Sequence, residues 1–134
     1  MEAMTVDHIG IAVRSIDRAL EFYRDALGVE PTHRSVVAHE KVEAALLPTG
    51  ESRIELLQPT AEDSVIARFL ERRGEGLHHL ALQVADIEAA AEAIRQSGHR
   101  LVTDRVQIGA EGYRYVFVHP SETGGVLLEL VERS

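Results

Sequence analysis

The chain contains no cysteine. Disulfide cross-links and thiolate-based zinc sites are therefore excluded. The opening "MEAMTVDHIGIAV" has no basic-then-apolar leader pattern, and no apolar run approaches the roughly 20 residues that span a bilayer. A soluble, cytoplasmic protein without a membrane partner is expected. Cationic clusters are missing as well: 14 Lys+Arg stand against 22 Asp+Glu, a formal net charge of -8, with no run of like charge. A nucleic-acid surface needs clustered Lys and Arg, so nucleic acid is not expected as a partner. No Pro/Gly/Ser-rich linker divides the 134 residues, and residues 1–134 are expected to form a single domain. GxSxG, P-loop and GxGxxG patterns are absent, and "HEKVE" at 39–43 lacks the second histidine of a zincin motif.

What the chain does have, it has twice. "HIGIAVRSIDRALEFYRDALG" from His8 and "HLALQVADIEAAAEAIRQSG" from His79 both open on histidine, alternate small and aliphatic residues, and reach a valine, Val13 or Val84. A polar helix-start residue follows, Ser15 or Asp86, and then an amphipathic helix ending at Gly28 or Gly98. Ile16, Ala19, Leu20, Tyr23, Ala26 and Leu27 share one face of the first helix; Ile87, Ala90, Ala91 and Ile94 share one face of the second. Strands are expected near 31–39, 41–47 and 52–58 in the first half, and near 101–108, 113–119 and 125–132 in the second. "DSVIARFLERRG" joins the halves as a short helix capped by Asp63 or Ser64. The fold class is therefore α+β: two tandem βαβββ modules, about 5–59 and 77–133, with a linker helix at about 63–74. They are expected to form a curved, partly closed mixed sheet around a site on the internal pseudo-twofold.

The repeat matches His8 to His79 and Asp7 to His78. Strand residues alternate in facing, so His8, Gly10 and Ala12 share one face, and His79, Ala81 and Gln83 share its counterpart. The bulky Ile9, Ile11, Val13, Leu80, Leu82 and Val84 should pack on the helices, leaving the small-residue face as an open cavity wall. His78 then belongs to the helix side. The last strand of each half carries one acid in an apolar run, Glu55 in "RIELLQP" and Glu129 in "LLELVER". A carboxylate buried mid-strand is costly unless a cation or strong donors compensate it. Two His and two Glu, one pair per half, make an N2O2 set without sulfur, suited to a divalent metal ion such as Co2+, Mn2+, Fe2+, Ni2+ or Zn2+ rather than to a thiolate-loving one.

Two βαβββ modules with a metal between them resemble the vicinal oxygen chelate superfamily, which includes glyoxalase I. "DHIGIAV", "RIELLQP", "DSVIARFLERRGEGLHHLALQV", "IGAEGYRYVFVHP" and "GGVLLEL" resemble, more narrowly, the methylmalonyl-CoA epimerases, over nearly the whole chain. The segment from linker helix through double histidine is the most specific of these.

This resemblance implies metal ligands at His8, Glu55, His79 and Glu129. It implies epimerisation of an acyl-CoA substrate by removal of a proton alpha to the thioester, a metal-stabilised enolate, and reprotonation on the opposite face. Glu129 doubles as one base; the other belongs on "EKVEAALLP", where Glu43 is the match, Glu40 lies nearby, and a solvent-facing strand role for Glu43 is the alternative. Some epimerases have Gln where this chain has Glu55, so two Glu give a formally neutral site with a divalent ion. The resemblance also implies a homodimer. Arg72, Arg73, Arg105 and Arg114 are candidates to meet the CoA phosphates, "IGAEGY" is a candidate pocket rim, and His119 is given no chemical role. Two other functions share the fold: a glyoxalase I-like lyase acting on a glutathione hemithioacetal, and a non-enzymatic ligand-sequestering protein.

Overall fold

A computed structural model describes residues 4–109 and 112–133. Its elements are β1 (Thr5–Ala12), α1 (Ile16–Leu20), β2 (His33–Val37), β3 (Val42–Thr49), β4 (Ser52–Pro59), α2 (Val65–Arg73), β5 (Gly76–Gln83), α3 (Ile87–Gln96), β6 (Gln107–Ile108), β7 (Arg114–Val118) and β8 (Leu128–Glu132). The chain clusters into two compact units: His8–His78, and the residues up to Asp7 together with those from His79 onward. The division falls between the paired histidines, and linker helix α2 groups with the first half. No helix among the described residues is long and apolar enough to cross a membrane.

The His8–His78 unit has strand order β2-β3-β4-β1, and the other has β6-β7-β8-β5. In each, the first strand runs parallel to the last, and the remaining pairings are antiparallel. Each unit thus realises the expected βαβββ pattern, and corresponding residues occupy corresponding registers. Gly10 and Ala12 lie opposite Glu55 and Leu57; Ala81 and Gln83 lie opposite Glu129 and Val131.

The first helix departs from the expected continuous form. After Leu20 the backbone widens into a π-helical turn over Glu21–Ala26, with the Leu27 N–H donating to the Phe22 carbonyl at 2.8 Å. A π turn holds more residues than an α turn and so rotates later positions off the face. Tyr23 still packs on the core, but Ala26 is exposed and Leu27 is 58% exposed, against the α-helical expectation. Gly28, at φ +84°, then closes the element. In α3 the expected face holds: Ile87 and Ala91 are fully buried, with Ala90 and Ile94 packed against the same cluster.

Both main helices start on devices taken from the repeat. Ser15 accepts from the Arg18 N–H and Asp86 from the Ala89 N–H, as N-caps do. In addition, Gln58 Oε1 accepts from the Ile16 N–H at 2.8 Å, and Glu132 Oε1 accepts from the Ile87 N–H at 2.8 Å. The last strand of each module therefore satisfies the open N-terminus of that module's helix. Helix α2 is capped by Ser64, which accepts from the Ala67 N–H; Asp63 instead pairs with Lys41.

Packing corrects one expectation about faces. Ile11 and Val13 do pack beneath α1 with Ile16, Leu20, Ala45, Leu47 and Leu56, and Leu82 and Val84 join the α3 cluster. The small-residue face is not open throughout, however. Ala12 is fully buried in a second cluster with Val42, Ala44, Leu57 and two residues of α2, Ile66 and Leu70. The apolar face of the linker helix, Ile66 and Leu70, needs a partner, and the small residues leave room for it; burying one such Leu or Ile contributes about 1.5–3 kcal/mol. The strand expected at 101–108 shrinks to Gln107–Ile108 plus a single bridge from Leu101 to Val118. The last strand begins at Leu128 rather than 125, because Gly124 and Gly125 turn through positive φ.

Candidate metal centre

The four ligand candidates fall into two like pairs. In the first unit His8 Nε2 faces Glu55 Oε1 at 3.6 Å; in the second His79 Nε2 faces Glu129 Oε1 at 3.4 Å. The register explains the pairing. In a parallel strand pair the acid of the last strand stands beside the residue two positions after the histidine, on the same face. His8, His79 and Glu129 are buried, whereas the Glu55 side chain keeps 23% of its exposure. Two ligands about 2.1 Å from one ion, at ordinary coordination angles, stand roughly 3.0–3.4 Å apart. Each pair is close to that spacing, and imidazole with carboxylate is the donor chemistry of a borderline divalent ion.

Around the second pair the wall is aromatic. Phe117 lies opposite Glu129 in the β7–β8 register and meets the His79 ring edge-on at 6.0 Å. Tyr115 of β7 and Tyr113, just before that strand, continue the row, with centroids 5.8 and 5.5 Å apart in succession. Leu46 takes the place of Phe117 in the first unit, opposite Glu55. His78 points elsewhere: its ring meets Phe69 of α2 edge-on at 5.1 Å, and burial lowers its imidazole pKa to about 4.

Glu43 is not placed as expected. It lies opposite Gln58 in β4, whereas Glu55 lies opposite Leu46. An odd offset along β3 puts Glu43 on the face that packs beneath α1, away from Glu55. There its Oε2 accepts from Arg34 Nε at 2.7 Å, and Arg34 Nη1 donates to Asp17 Oδ1 at 2.7 Å. The Arg34 guanidinium holds the Asp17 carboxyl below its usual range. The neighbouring position on the site face is Ala44. Extending the repeat alignment would have found this, because the counterpart of Glu43 is Arg114. That residue lies opposite Glu132 and pairs with Glu132 and Glu88 on the helix face. Glu40, the nearby alternative, is exposed in the turn before β3, with His39 Nε2 at 3.7 Å from its Oε1.

Of the other arginines considered, Arg73 lies over the Phe69 ring at 5.9 Å, while Arg72 and Arg105 are exposed. His119 caps a short turn, its Nδ1 accepting from the Ser121 N–H at 3.1 Å. In the "IGAEGY" segment, residues 110 and 111 lie outside the described residues. A Cβ at Gly109 would stand 2.5 Å from the Tyr113 ring, so any side chain there would displace that ring.

Comparison with known proteins gives the chain its family. Residues 7–117 match the model of the Glyoxalase/Bleomycin resistance protein/Dioxygenase superfamily. An ethylmalonyl-CoA/methylmalonyl-CoA epimerase of Cereibacter sphaeroides is 35% identical over 93% of this chain and 95% of its own. The mitochondrial methylmalonyl-CoA epimerase of Mus musculus is 34% identical over 93% of this chain and 71% of its own. The solved structure of a Streptomyces coelicolor methylmalonyl-CoA epimerase variant, in complex with 2-nitronate-propionyl-CoA, superposes with a TM-score of 0.90. It is 40% identical and covers 97% of this chain and 94% of its own. The chain belongs to the methylmalonyl-CoA epimerase family of isomerases, within the Glyoxalase/Bleomycin resistance protein/Dioxygenase superfamily.

Proposed function

We propose that this chain interconverts (2R)- and (2S)-methylmalonyl-CoA, with His8, Glu55, His79 and Glu129 holding one divalent ion. The observation that carries this reading is the equivalence of the two His–Glu pairs, in matching registers of the two modules. When bound, the ion would supply Lewis-acid stabilisation of the negative charge that develops on the thioester oxygen. Cobalt is the ion proposed.

The residues do the rest. Each carboxylate has two oxygens, so Glu129 can keep one toward the ion and take the alpha proton on the other. A base is also needed for the opposite face of the enolate. Glu43 pairs with Arg34 on the α1 face of β3, so the second proton transfer is assigned to Glu55, the repeat equivalent of Glu129. As Glu129 takes the alpha proton, Glu55 would enter protonated on one oxygen and give that proton to the opposite face, the two roles reversing for the other epimer. Partial exposure of Glu55 allows exchange of that proton with solvent. Phe117 and Leu46, half-buried and opposite Glu129 and Glu55 in their registers, give each pair an apolar neighbour that would limit water at the reacting carbon.

The test is alpha-proton exchange of methylmalonyl-CoA in heavy water, with and without chelator. Deuterium incorporation that chelation abolishes and Co2+ restores supports the reading. Metal-loaded protein that gives no exchange above background, or that turns over methylglyoxal with glutathione instead, refutes it.

A further inference from the structure

Deep burial of Asp7 calls for a function beyond filling space. Its side chain is 0% exposed, yet it carries a carboxylate, and it directly precedes His8. Both oxygens are engaged by one guanidinium: Arg133 Nε donates to Oδ1 at 2.8 Å and Nη2 to Oδ2 at 2.7 Å. A bidentate pair of this kind fixes orientation as well as position, because the fork has one planar way to meet a carboxylate. Arg133 follows the β8 strand that carries Glu129, so the pair joins positions 126 residues apart in sequence. Arg133 is itself seated from the other side, its guanidinium lying 5.2 Å above the Tyr113 ring, and that ring rests on Gly109. The result is a stack of Gly109, Tyr113, Arg133 and Asp7 ending one peptide bond before a ligand.

The repeat supplies a second reason to read this as a device. The counterpart of Asp7 is His78, which also directly precedes a ligand histidine and is also fixed by its side chain, against Phe69 of α2.

We propose that Asp7 and Arg133 are positioning residues for metal binding: their bidentate pair fixes the β1 backbone at His8 so that the imidazole is presented for ligation. This rests on the metal reading above. The test is Co2+ titration of the full chain, following the ligand-field absorption of the bound ion, alongside thermal unfolding. Groups that orient a ligand without touching the ion typically change affinity 10–100-fold, so a loss of about 10-fold or more is expected in Arg133→Gln and Asp7→Asn, with altered absorption bands. Arg133→Lys, which keeps the charge without the fork, should recover part of that loss. Val116→Ala, which removes core packing in the same unit, should lower the melting temperature but leave the Co2+ affinity and bands as in the wild type.

Should Arg133→Gln not fold, Tyr113→Leu removes the ring beneath the guanidinium, and an intermediate weakening is expected; wild-type affinity and bands in that variant would overturn the proposal. Folded Arg133→Gln with wild-type affinity and bands would overturn the proposal, as would a Val116→Ala loss equal to that of Arg133→Gln. Wild-type protein that takes up no Co2+ would instead overturn the metal reading itself.

Discussion

Replacing Glu43 by glutamine separates what the family pattern implies from what the register imposes. If Glu43 were a base, its loss would cost on the order of 10²–10⁴-fold in proton exchange. The structure gives it a different partner: Arg34 Nε at 2.7 Å, with the Glu43 and Arg34 side chains 23% and 34% exposed. A part-exposed ion pair of that kind contributes about 0.2–1 kcal/mol, and glutamine keeps one oxygen to accept from Arg34. The expected stability loss is therefore below about 1 kcal/mol, roughly 3–5 °C in melting temperature for a chain of this size. Exchange of the alpha proton, measured separately from each epimer in heavy water, should fall less than about 3-fold, a margin set well below the base-loss range. A loss of 100-fold or more in protein that still binds metal would place Glu43 at the reacting carbon and refute the face assignment.

Glu55→Gln should retain metal yet slow exchange from one epimer more than from the other; equal slowing of both would move the second proton transfer elsewhere. His79→Ala is expected to abolish stoichiometric metal binding, whereas His78→Ala should bind metal and lose about 0.5–1.5 kcal/mol from the edge contact with Phe69, read by chemical denaturation. Gly109→Ala should destabilise the protein, because the new methyl group meets the Tyr113 ring at 2.5 Å, and a wild-type melting temperature would contradict that contact. Glu122 accepts from the Arg100 N–H and faces His99 at 3.3 Å, which lowers its carboxyl pKa from the usual 4.5. A lowered folded pKa stabilises above the unfolded value and is lost as pH falls through the folded one. Glu122→Gln should therefore flatten stability against pH below about 4.5 while leaving the slope at neutral pH unchanged; an unaltered acid limb would remove Glu122 from that role.

The sequence by itself determined the repeat, and with it the two βαβββ modules and the four ligand candidates. Strand alternation and a lone acid in each apolar run are local signals, carried by neighbouring residues and independent of how the halves meet. They also separated His79 from His78 on facing alone. Tertiary structure decided what depends on register and on distant partners. The placement of Glu43 turns on which β4 residue stands opposite, and a shift of one residue reverses the face. Leu27 leaves the core because the helix widens after Leu20, and the face around Ala12 is closed by α2, whose docking no local periodicity encodes. The Asp7–Arg133 pair spans nearly the whole chain; only folding brings a fork of donors to a carboxylate that would otherwise be too costly to bury.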